Sequence, residues 1–136
     1  MRGIIGLLLV GLMAPVLVAA QEKEFSKNYI EVKTSTWKGI VLERSCFRKL
    51  GLDKARADDH AACTQECLKK GQPLGILTDE DGFMTIVGEM AKDNFAKVTK
   101  YIGKRVEVTG TSALPTGNYI PRQIDVTKIA PAADNN

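Results

Sequence analysis

The residues best suited to chemistry lie close together. The chain holds three cysteines and a single histidine, and these are Cys46, His60, Cys63 and Cys67. On a helix, positions 60, 63 and 67 fall at about 0°, −60° and −20° around the axis, so three donors share one stripe. Cys46 lies at the end of a β-rich run, and the intervening loop is long enough to bring it over that stripe. A Cys₃His set suits tetrahedral Zn(II), and thiolates with an imidazole also suit Cu(I). The spacing Cys-x₁₃-His-x₂-Cys-x₃-Cys is not that of a zinc finger, so the helical clustering is the informative feature. Cys63 and Cys67 are the first expected metal ligands, followed by Cys46 and then His60.

The N-terminus bears on that chemistry. Arg2 precedes an uncharged run over residues 3–20 that ends Val18-Ala19-Ala20. A positive start, an apolar stretch and small residues before the cut are the features of a secretory signal peptide, with cleavage expected before Gln21. Pro15 interrupts the run, and its length only approaches the ~20 apolar residues of a membrane span. The mature chain of residues 21–136 is therefore expected in the periplasm or secreted, with no membrane span. Outside a reducing cytosol cysteines tend to pair. Cys46 with Cys63 or Cys67 would tie helix to strand, whereas Cys63 with Cys67, one helical turn apart, is a poor match. Three cysteines leave one thiol over. Metal site, disulfide with a spare thiol, and thiol redox centre all remain open, although no Cys-x-x-Cys on a thioredoxin-like unit supports the last.

Other chemistry finds less support. The only histidine lies in the cysteine cluster, no Ser/His/Asp set presents itself, and no glycine loop could cradle phosphate, so no enzyme is expected. The net charge is +3, and Arg2 is the only charge in the leader, so the mature chain carries +2. That is too little and too mixed to point to nucleic acid. Asp79, Glu80 and Asp81 do not match a calcium loop and read as a solvated turn. Trp37, Phe83 and Tyr119 could form a stacking platform but suit a core equally. Met84 and Met90 are accounted for by packing.

The elements that must position the cluster follow from pattern. Residues 21–28 read as a loose arm. Residues 29–46 (YIEVKTSTWKGIVLERSC) read as a long strand, or two short ones, with Gly39 at a bend or bulge. After an irregular stretch, Asp58 or Asp59 caps a helix that runs to about Lys70 and stops at Gly71. Residues 73–78 and 83–88 form a hairpin around Asp79-Glu80-Asp81-Gly82. Ala91, Phe95, Val98 and Ile102 recur at helical spacing and predict a helix over 90–102. Strands over 105–111 and 119–129 complete the domain, and 130–136 read as a disordered tail. With the first helix set aside the order is β-β-β-α-β-β. The predicted fold is mainly β with two helices: a small OB-like five-stranded barrel over 29–129, with the Cys/His-bearing helix inserted between strands 1 and 2.

The segments GIVLERSC, HAACTQECLKKGQPLGILTDEDGF and YIGKRVEVTGT resemble those of a group of small, exported, largely uncharacterised bacterial OB-like proteins. The shared features are the Cys…His-x₂-Cys-x₃-Cys core at Cys46, His60, Cys63 and Cys67, the turn from Gly71 to Gly75, and a Gly-Lys-x-Val-x-Val-x-Gly strand from Gly103 to Gly110. The resemblance implies this fold and compartment but no activity. The expectation is an exported, non-enzymatic binding protein whose partner is a metal ion, Cu(I) or Zn(II), or an unidentified periplasmic protein.

Overall fold

A computed structural model describes residues 28–50, 59–117 and 120–133. The expected signal peptide and nearly all of the expected arm lie outside the described residues, as do Tyr119 and residues 134–136. The described chain forms β1 (Tyr29–Glu43), α1 (Arg44–Leu50), α2 (Asp59–Lys69), β2 (Leu74–Thr78), β3 (Gly82–Val87), α3 (Lys92–Phe95), β4 (Arg105–Pro115) and β5 (Arg122–Pro131). The strands close into a barrel in the order β1-β2-β3-β5-β4. All pairings are antiparallel except β3 with β5, which run parallel. This is a small OB-like barrel, as the element order predicts.

Closure depends on β1, the longest strand, which passes from one neighbour to the other along its length. Residues 29–40 pair with β4 and residues 39–43 with β2, so Gly39 and Ile40 are bonded on both edges. Gly39 sits at this handover without a register shift; the bulge of β1 lies instead between Glu31 and Lys33. A Cβ at position 39 would strike the Leu77 carbonyl, so the glycine is there to let two backbones approach. Inside the barrel Trp37, Val41, Ile76, Met84, Ile86, Val106, Val108, Ile124 and Val126 form one core cluster. Along β4 the pattern that marks Val106 and Val108 as inward in the sequence is the observed one. Trp37 and Met84 are thus core, not a stacking face or a thioether site.

Three local expectations need correction. The chain leaves β1 at Glu43, so Cys46 lies in a short helix and not at a strand end. The predicted helix over 90–102 is broken into a 3-10 turn (Gly88–Ala91), the single turn α3 and a second 3-10 turn (Thr99–Tyr101). Asp93, Asn94 and Phe95 take positive φ of 51°, 53° and 60°. Aspartate and asparagine are the non-glycine residues that tolerate this region best, and a right-handed helix cannot pass through it. Phe95, Val98 and Ile102 are buried nonetheless, so the apolar spacing reports burial correctly and the conformation wrongly. Finally, β5 runs past Ile129: Ala130 and Pro131 pair with Glu107 and Val106.

The β2–β3 turn is an ion-pair node. Trp37 Nε1–H donates to Asp81 Oδ2 at 2.7 Å, and Lys33 and Arg122 lie 3.3 and 3.1 Å from the same carboxylate. Asp79 pairs with Arg105. The Trp37 bond first, then Lys33 and Arg122 against the opposing effect of burial, hold the Asp81 carboxyl below the usual aspartate range. A depressed folded pKa stabilises above the unfolded value, and the gain is lost as pH falls through the folded one. Asp81→Asn should therefore lower the melting temperature at pH 7 and flatten the acid limb below about pH 4. Melting curves of the two proteins from pH 7 to pH 2 check this, and parallel curves would contradict it.

Candidate functional site

The connection from β1 to β2 builds the site. β1 ends in buried residues on both faces: Val41 points into the barrel, while Ile40 and Leu42 join Leu77 in a second cluster outside it. Phe47 of α1 packs on that outer cluster and so fixes α1 against the wall. α2 lies against the barrel with Leu68 in the main core and Ala61 at its margin. Ala61 passes so close to Gly103 that a Cβ there would lie 2.9 Å from that of Ala61. Ala61, Thr64 and Leu68 thus form the inward stripe of α2, at i, i+3 and i+7. Cys63 and Cys67 occupy the flank beside it, half-buried, and face α1.

On that flank the cysteines converge. Cys46 and Cys63 form a disulfide with Cα atoms 6.1 Å apart, within the usual range for a bridge. Cys67 is free, and its Sγ lies 3.5 Å from that of Cys46. The three sulfurs all lie within 4.8 Å of one another. Cys46 is buried, whereas Cys63 and Cys67 keep partial access to solvent. The backbone of His60 continues α2 one turn before Cys63, but its side chain lies outside the described residues. Three of the four residues singled out in the sequence are therefore brought together.

Glu43, Ser45 and Thr64 complete the surroundings, and the sequence reading does not find them. Glu43 is 3% exposed and stands where a helix cap would stand. Its Oε2 accepts from Ser45 N–H at 2.8 Å, from Cys46 N–H at 3.2 Å and from the Ser45 hydroxyl. These bonds satisfy backbone donors that a helix N-terminus leaves unpaired. Glu43 N–H in turn donates to Oγ1 of the fully buried Thr64 at 3.2 Å, which ties the end of β1 to α2. Burial pushes the Glu43 carboxyl up, but hydrogen bonds from Ser45, Cys46 and Cys67 outweigh it and leave the pKa below the usual glutamate value. The carboxylate thereby orients the turn that presents Cys46. The Ser45 hydroxyl also lies 3.8 Å from Cys67 Sγ.

No family model, curated protein or solved structure matches this chain. The site must be judged on its own chemistry. Three sulfurs from two helices, with a capped turn holding one of them, can form a disulfide or hold a thiophilic cation. Among the described residues no other group of three or more Cys, His, Asp or Glu side chains converges in this way. No helix among them is long and apolar enough to cross a membrane.

Proposed function

We propose that this chain is an exported OB-like binding protein whose three-cysteine centre holds a soft transition-metal ion, Cu(I) or Zn(II). The observation that carries the proposal is the convergence of Cys46, Cys63 and Cys67 within 4.8 Å on a rigid frame. Around one ion at a Zn–S distance of about 2.3 Å, tetrahedral sulfurs stand about 3.8 Å apart, close to the 3.5 Å between Cys46 and Cys67. Cys46 and Cys63 must first be reduced, because only thiolates ligate. Three thiolates would satisfy trigonal Cu(I); Zn(II) would need a fourth donor, for which His60 is the candidate. Residues 1–20 support export, and the resemblance to small exported bacterial proteins agrees with it. The partner is then the ion itself or a periplasmic protein that delivers or receives it.

The test is metal analysis with thiol counting on protein purified from a periplasm and reduced without oxygen. One ion per chain is expected, and Cys46→Ser, Cys63→Ser and Cys67→Ser should each weaken binding at least 10-fold, since each removes a ligand. A fully reduced, folded protein that takes up neither metal at stoichiometry would overturn the proposal. One observation favours a second reading in that case: Cys46 and Cys63 are bonded. The chain would then be a disulfide-stapled binding module, unaffected by chelators.

A further inference from the structure

Two neighbours compete for one sulfur. Cys46 is bonded to Cys63, and the unbonded Cys67 Sγ stands 3.5 Å from Cys46 Sγ. It is in contact with that sulfur but to the side of the Cys46–Cys63 bond, since all three sulfurs lie within 4.8 Å of one another; a side-chain rotation must bring the thiolate into line before it attacks. Both competitors sit on α2, four residues apart, so the same rigid helix offers either to the same partner. Direct pairing of Cys63 with Cys67 is disfavoured because their Cβ atoms leave the helix side by side and do not point at each other. Cys46 itself is held by the Glu43-capped turn and by burial, whereas the two α2 cysteines are partly open to solvent.

We propose that the centre carries out thiol–disulfide exchange, with Cys46 as a fixed hub and Cys63 and Cys67 alternating as its bonded partner. In the step the Cys67 thiolate attacks Cys46 Sγ, the Cys46–Cys67 bond forms and the Cys46–Cys63 bond breaks. Cys63 leaves as a thiolate and takes up the proton that Cys67 gave to solvent. The exchange is redox-neutral and needs no outside oxidant. Its product is a half-buried thiol that alternates between two positions one helical turn apart, open to an external thiol or disulfide, while Cys46 stays shielded. This activity belongs to the oxidised chain and does not depend on metal binding.

The mature chain is folded in a glutathione redox pair, freed of it in chelator-containing buffer, labelled slowly with an alkylating agent, quenched in acid and mapped without reduction. Wild type should carry one label per chain, shared between Cys63 and Cys67, with Cys46 unlabelled. Cys63→Ser and Cys67→Ser should each form a bridge to Cys46 and lose all free thiol, whereas Cys46→Ser should keep two. Label confined to Cys67 in wild type overturns the proposal, whatever the variants do. So does a Cys63→Ser protein that keeps two thiols while Cys67→Ser keeps none. The chelator separates this test from the metal proposal, which is judged on reduced protein and can fail or stand independently.

Discussion

Cys46→Ala should lower the free energy of unfolding of the oxidised protein by about 3 kcal/mol, the largest loss expected from any single change in the Cys cluster. The bridge closes a loop between residues 17 apart in sequence. Constraint of a loop of that length in the unfolded chain is worth about 3 kcal/mol in the chain-entropy account. A domain of this size has about 5–15 kcal/mol in total, so the loss is a large share of its stability. Cys46 is the position to change because either remaining cysteine of α2 can bond it, whereas Cys63 and Cys67 cannot readily bond each other. Cys63→Ala should therefore cost less than Cys46→Ala wherever Cys67 substitutes for it. Urea denaturation of both variants, with and without a reductant, checks this. In the reductant, with chelator present, wild type should fall to within about 1 kcal/mol of Cys46→Ala, the remainder being the packing of a buried sulfur. A gap of 3 kcal/mol that persists under reduction would assign the loss to packing and not to the bridge.

The architecture was legible in the sequence because its signals are local and repeated. Alternation around Val106 and Val108, turn residues from Asp79 to Gly82 and a helix stop at Gly71 each mark an element, and the order of elements admits few barrels. The cysteine cluster was legible for the same reason: Cys63 and Cys67 are one helical turn apart, and only Cys46 had to be supplied by the fold. What the sequence concealed depends on contacts distant along the chain. Glu43 reads as one more strand residue until Thr64, 21 residues away, takes its N–H and the chain turns into α1. The run Arg44–Leu50 offers only a weak sign of a helix, Arg48 and Lys49 in its last turn. The broken segment between β3 and β4 shows the opposite failure. Its apolar residues are spaced as in a helix, and only the adjacent pair Asp93-Asn94, both tolerant of positive φ, hinted that the backbone takes another course.

Trp37→Ala should be the most damaging substitution in the barrel, at about 3–5 kcal/mol. Trp37 is the chain's only tryptophan and is 2% exposed. It occupies β1 opposite Val108, inside the cluster that fills the barrel, and its indole N–H reaches the β2–β3 turn through Asp81. Loss of the ring leaves a cavity where β1 and β4 are paired. It also removes the donor to a carboxylate that Lys33 and Arg122 share. Trp37→Phe separates the two effects. It keeps most of the apolar volume and loses the hydrogen bond, so about 1–2 kcal/mol is expected, with the folded state retained. Urea denaturation followed by circular dichroism measures both losses, and wild-type fluorescence provides an independent check. An indole at this depth should emit to the blue of free tryptophan and resist quenching by acrylamide. A red-shifted, readily quenched emission with little loss in Trp37→Ala would place the ring on the surface, where it could serve as a stacking platform. The barrel would then need another residue to fill its centre, and none of the side chains in its core cluster is as large.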